Sequence, residues 1–132
     1  MDLESARALI VAAEAAAGRL AIRVATSVVD AGGNPVAFTR MDGTQLASIT
    51  IAHGKAYTAV AWQRPSGELW PIAQPGAGGF GINTIDSRFV LSAGGLPVTR
   101  GGGIVGAIGV SGGTAEQDEQ CALAALAALG PA

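Results

Sequence analysis

Two glycine-rich turns set between short β-rich runs constrain this chain most. Asp30-Ala31-Gly32-Gly33-Asn34 separates Ile22–Val29 from Pro35–Met41, and Gly101-Gly102-Gly103 separates Leu96–Arg100 from Ile104–Val110. Connections this short join antiparallel neighbours only, because a parallel pair needs a crossover of a dozen or more residues. Each turn therefore predicts a hairpin, and the sheet is expected to be antiparallel. Pro35 falls at a strand start, where a missing N–H is tolerated. A further short run, Phe89–Leu91, brings the expected count to about five strands.

Helical spacing accounts for most of the rest. Leu3, Ala6, Leu9, Ile10, Ala13 and Ala17 recur on one face of a first helix, with Asp2 as N-cap and Gly18-Arg19 at its end. A central helix is expected from a cap at Thr44 or Ser48 to Trp62, with Leu46, Ile49, His53, Ala56 and Val60 in one stripe. Pro65-Ser66 opens a short helix through Trp70. Thr114 and Gln117 form a capping box for a last helix, Ala115–Leu129, which Gly130 and Pro131 end. The order α-β-β-α-α-β-β-β-α predicts one layered α+β domain over residues 1–132, with helices covering a mostly antiparallel sheet.

Composition excludes several function classes. Apolar residues make up 49% and charged residues 14% of 132, which is enough to build a core and too apolar for disorder. A net charge of −2 and 5% aromatics favour neither a duplex-binding nor a single-strand-stacking surface, so no nucleic acid partner is expected. One cysteine, Cys121, excludes an intrachain disulfide, and one histidine, His53, excludes a multi-histidine zinc site. Surface so poor in charge points to a homo-oligomer that covers part of it. Glu14 breaks the first apolar stretch, and no run reaches membrane-span length, so the expected location is the cytoplasm, away from membranes.

Several motifs fail on context. Gly76, Gly78 and Gly81 match G-x-G-x-x-G, as do Gly101, Gly103 and Gly106. The first opens no helix and the second enters a strand, whereas a dinucleotide fingerprint needs a strand before and a helix after. Gly109-Val110-Ser111-Gly112-Gly113 matches G-x-S-x-G, but the only histidine precedes it, so it reads as a turn launching the last helix. Cys121, among alanines, reads as a small buried apolar residue.

Four residues and one loop stay open. Arg40 and Asp42 sit two apart at a strand end, either as a pocket corner for a carboxylate or propionate or as a local ion pair. His53 is either a core or interface residue or the axial ligand of a haem or corrinoid metal, which needs only one nitrogen. Lys55 lies about 200° round the helix from His53, so the two face different sides. The glycine-rich loop Gln74–Asp86 is long enough to be functional or mobile.

Four pieces in order resemble the GlcG/HbpS family (DUF336), also known as the C-terminal domain of PduO-type proteins. They are Val28-Val29-Asp30-Ala31-Gly32-Gly33, Arg40-Met41-Asp42-Gly43, Ile51-Ala52-His53-Gly54-Lys55-Ala56-Tyr57-Thr58-Ala59, and Gly94-Gly95-Leu96-Pro97 with Gly106–Gly112. The resemblance implies an α-β-α layered, profilin-like domain with five antiparallel strands, assembled as dimers or larger rings such as octamers. It implies haem or related tetrapyrrole binding or degradation, with haem as the cofactor. Arg40, Asp42, Lys55, Gly94, Gly95 and Pro97 match the shared pattern and are expected to shape a ligand pocket or an interface. His53 falls in a variable slot. Arg64, Arg88 and Arg100 are further candidates for propionates in an apolar slot between subunits, and the loop from Gln74 to Arg88 is expected to set ligand choice. The alternative is a cofactor-independent enzyme acting on a small carboxylate by proton transfer, isomerisation or hydrolysis, with Arg40 or Lys55 as anchor and Asp42 as general base. A third reading is an interaction module that tunes a partner.

Overall fold

A computed structural model describes residues 1–131. Its regular elements are α1 (Leu3–Arg19), β1 (Ala25–Asp30), β2 (Pro35–Arg40), α2 (Ala47–Trp62), β3 (Gly95–Arg100), β4 (Gly103–Ser111) and α3 (Ala115–Leu129). Short 3₁₀ turns at Ser66–Leu69, Pro71–Ala73 and Ile82–Thr84 punctuate the segment between α2 and β3. All strand pairs are antiparallel, and the sheet order is β2-β1-β4-β3. Both hairpins read from the glycine turns form, β1–β2 and β3–β4, and β1 joins them by pairing with β4.

The sheet is covered on both sides. Val24, Val28, Leu96, Val98, Ile108 and Val110 pack against α1 and α3. Val29 and Ala107, one position along their strands, pack instead against Ala56, Ala59 and Val60 of α2. This is the two-residue alternation of a sheet that buries both faces. Small residues set the spacing. A side chain at Gly109 of β4 would run into the Ala52 carbonyl and the Ala56 backbone of α2, so that helix lies against bare main chain.

The α+β class and the α-β-α layering agree with expectation; the strand count does not. The sheet has four strands, and Phe89–Leu91 is not one of them. The Val90 N–H is taken by Thr58 Oγ1 of α2 (2.8 Å), and the Phe89 ring packs on Tyr57 and Trp62. The run is held by helix side chains, so its backbone does not enter a ladder. The start of α2 also differs. Its N-cap is Leu46, with no side-chain cap; Thr44 Oγ1 donates to the Met41 carbonyl instead, and Ser48 Oγ lies 3.2 Å from Ser111 Oγ. Leu46, expected in one stripe with the buried Ala56 and Val60, is 76% exposed. Both outer helices are capped as read: Asp2 accepts from the Ser5 N–H, and Thr114 and Gln117 form the full capping box.

Candidate functional site

The expected site residues separate: Lys55, Gly94 and Gly95 gather in one place, Arg40 and His53 lie in another, and Pro97 and Asp42 belong to neither. Lys55 leaves the buried side of α2 and ends inside the protein, 2% exposed. Its Nζ donates to Asp118 Oδ2 (2.8 Å) and to the Val110 carbonyl (2.9 Å). The other carboxylate oxygen of Asp118 accepts the Gly113 N–H at 2.8 Å. Burial pushes the Asp118 carboxyl above its ordinary range, against the pull of the Lys55 ammonium and the backbone N–H groups.

Two of the expected glycines exist for this lysine. Gly94 has φ +126, and a Cβ there would sit 2.6 Å from the Val110 carbonyl and 3.0 Å from Lys55 Nζ. A Cβ at Gly95 would collide with the Lys55 carbonyl. The Gly95 N–H is taken by Ser66 Oγ, which in turn donates to Ser92 O. Lys55, Gly94 and Gly95 are therefore one structural unit. A cleft of about 230 Å³ opens beside it, bounded by Gln45, Ser48, Lys55, Ser111, Gly112 and Asp118 among others. Pro97 is not in this group; it borders a separate cleft between β3 and the end of α3.

Arg40 and His53 mark the second place. Ser27 of β1 lies under α2, with its Oγ 3.4 Å from Nδ1 of the half-buried His53. Phe38 pairs with Ser27 in register, and Arg40 pairs with Ala25, so all four occupy the same sheet face. The edge strand β2 lies beyond the cover of α2, which leaves Phe38 41% exposed and Arg40 exposed. Leu46 stands seven residues before His53, on the same side of the helix. The result is a ledge carrying one imidazole, one guanidinium and two apolar side chains.

Arg40 and Asp42 form no ion pair with each other among the described residues. Asp42 is exposed, and its backbone carbonyl accepts from Arg23 Nη1 at 2.7 Å. The other arginines have different fates. Arg88 is held bidentately by Asp86 (2.7 and 3.0 Å), and its Cζ lies 3.9 Å above the Tyr57 ring. That pairing holds the Asp86 carboxyl down at about 2. Arg64 pairs with Glu68 at the surface, 3.1 Å away. Arg100 is exposed on the β3–β4 hairpin, beside Met1.

Sequence reasoning missed Asp118, Ser48 and Ser111. Asp118 carried a readable signal: it shares one helical face with Ala122 and Ala125, and a carboxylate on a buried stripe requires a partner. The serine pair carried none, because two hydroxyls 63 residues apart meet only through the fold.

These features define a three-layer α+β domain with an antiparallel sheet, a buried lysine–carboxylate pair and one half-exposed imidazole. No cluster of three or more metal-ligating side chains occurs among the described residues. The chain belongs to the HbpS-like family: the family described as haem degrading protein HbpS-like matches residues 1–127. Protein ORFY of Klebsiella pneumoniae superposes with a TM-score of 0.95 at 35% identity, over 98% of this chain and 90% of that one. The solved complex of PduOC with haem gives 0.93 at 36% identity, over 97% and 94%. HbpS of Streptomyces reticuli, solved as a double mutant, gives 0.92 at 37% identity, over 99% and 88%. Among curated relatives, a 15.0 kDa protein of the dhaT–dhaS intergenic region of Citrobacter freundii is 42% identical over 96% of this chain and 89% of its own length. The corrinoid adenosyltransferase PduO of Salmonella typhimurium is 38% identical over 86% of this chain, which spans only 34% of that protein. No helix among the described residues is long and apolar enough to cross a membrane.

Proposed function

We propose that this protein binds haem or a closely related tetrapyrrole on the ledge between β2 and α2. The observation that carries the reading is the setting of His53. Its Nδ1 is turned to the Ser27 hydroxyl, which leaves Nε2 as the nitrogen available to an iron. The residues present fit the group. A single nitrogen suffices for an axial bond, Phe38 and Leu46 offer apolar surface for the macrocycle, and Arg40 offers a cation for a propionate. Bound haem would supply a redox-active iron. This chain's part is to orient the ring, hold one propionate and exclude water from one face. The solved haem complex of PduOC, of nearly the same fold, supports haem as the ligand.

The ledge is one-sided. In this proposal a second copy of the chain supplies the opposite wall, as the low surface charge suggests.

A haemin titration followed at the Soret band, with size-exclusion chromatography in parallel, tests the reading. The expected result is saturable, stoichiometric uptake at about micromolar Kd or below (about 8 kcal/mol), lost or shifted in His53→Ala with the oligomer size unchanged. Non-saturating uptake, or a spectrum unaltered by His53→Ala, would overturn the assignment to this ledge.

A further inference from the structure

We infer that the cleft beside Lys55 is a second, separate binding site, and that it receives the carboxylate of a small organic acid. The inference does not depend on the haem reading, since the cleft includes neither His53 nor Phe38 nor Arg40.

The ammonium of Lys55 has three hydrogens and no acceptor. Two are used, by Val110 O and Asp118 Oδ2, and among the described residues the third has no protein partner. Asp118, also in the wall, has one oxygen bonded to Lys55 and the other to the Gly113 N–H. Ser48 and Ser111 are 3% and 5% exposed and bonded to each other. When one hydroxyl donates to the other, the acceptor's own hydrogen is left for a further partner. Gln45, exposed at the rim, adds an amide NH₂. The wall thus offers spare hydrogens on an ammonium, a hydroxyl and an amide, and the head that engages all three is one rich in acceptors.

A carboxylate supplies up to four acceptor positions and needs no donor. Removal from water makes each bond from the ammonium count for more. The cleft volume, about 230 Å³, suits an acid of a few carbons and is too small for a macrocycle. The capping box and the Asp118 carboxylate take the N–H groups of Gly113, Thr114 and Gln117. The buried side chains of Lys55, Ser48 and Ser111 carry the recognition.

The test titrates ¹⁵N-labelled protein with sodium lactate at constant ionic strength, with glycerol as the uncharged probe of similar size. The expected result is saturable shifts of the Gln45, Ser48, Gly112 and Gly113 amides with lactate, and none with glycerol. Ser48→Ala and Gln45→Leu, which leave the ion pair in place, should each weaken lactate by about tenfold, the scale of one hydrogen bond to a charged group. The double variant Lys55→Met/Asp118→Leu, which removes both buried charges together, should keep the fold and abolish saturation. His53→Ala should bind lactate as the parent does, whatever it does to haemin. Shifts that stay linear or scatter over the surface would overturn the proposal. So would equal binding of glycerol, or a double variant that binds lactate like the parent.

Discussion

Lys55 Nζ and Asp118 Oδ2 lie 2.8 Å apart, each side chain only 3% exposed, and join α2 on one face of the sheet to α3 on the other at the end of β4. Single and double substitutions should behave very differently there. Lys55→Met leaves a buried carboxylate with no counter-charge, and loss of one partner of a buried pair costs about 3–5 kcal/mol. Lys55→Met/Asp118→Leu removes both charges and should recover most of that loss. Urea unfolding of the three proteins checks this: the single variant should have the lowest midpoint, and a double variant as unstable as the single would refute the account.

Gly109 makes the most sterically demanding contact between sheet and helix. A Cβ there would strike the Ala52 carbonyl and the Ala56 backbone, neither of which is a flexible side-chain end. Gly109→Ala must push α2 off β4 and should cost about the 1–3 kcal/mol typical of overpacking, or more. Gly101→Ala is the control for added bulk, since nothing lies within 4 Å of its Cβ position and the expected loss comes from its φ of +58 alone. Thermal unfolding should show a larger drop for Gly109→Ala than for Gly101→Ala.

These two cases show how far the sequence could be read. The hairpins were legible because Gly33 and the Gly101-Gly102 pair take positive φ where the turns need it, and α1 and α3 because their caps and apolar stripes agree. The middle helix, α2, was legible only in part, because it is buried along much of its length and apolar residues are then not confined to one stripe. Lys55 stood out among the chain's few cations and the Gly94-Gly95 pair entered through the family resemblance, but nothing in their spacing showed that the glycines pack on the lysine. Phe89–Leu91 misled because a short apolar run looks the same whether its N–H meets a strand or a threonine hydroxyl, as Val90 does.

The arginines should not contribute equally to haem uptake. Arg40 lies on the His53 ledge with no ion pair among the described residues, whereas Arg88 is committed to Asp86 and stacked on Tyr57. Using Arg88 for a propionate would first break a bidentate pair. Arg40→Ala should therefore weaken haemin binding by about tenfold, near the worth of one charge-assisted contact. Arg88→Ala should leave it within about twofold, a difference below the scale of one hydrogen bond. Soret titrations of both variants decide between the two; the reverse ranking would move the site toward the loop.

The same Asp86–Arg88 pair makes the loop acid-sensitive in a definite direction. The Asp86 carboxyl is held at about 2 in the folded protein, below the ordinary value of 3.8, chiefly by the Arg88 side chain and then by its backbone N–H. A lowered carboxyl pKa contributes stability that is complete above the unfolded value and is lost as pH falls through the folded one. The pin should therefore hold above about pH 4 and release between about 4 and 2. Because the pair is exposed, salt should diminish its contribution. Trp62 meets the Phe89 ring edge-on at 5.6 Å and reports on this segment. In a Trp70→Phe background, Trp62 fluorescence should change across that acid window in the parent and stay flatter in Asp86→Asn. Asp2 and Asp30 also have lowered carboxyls, held by local hydrogen bonds in other parts of the chain, and are left intact in both proteins. Identical acid profiles with and without Asp86 would show that the loop is held by the Tyr57, Trp62 and Phe89 rings alone.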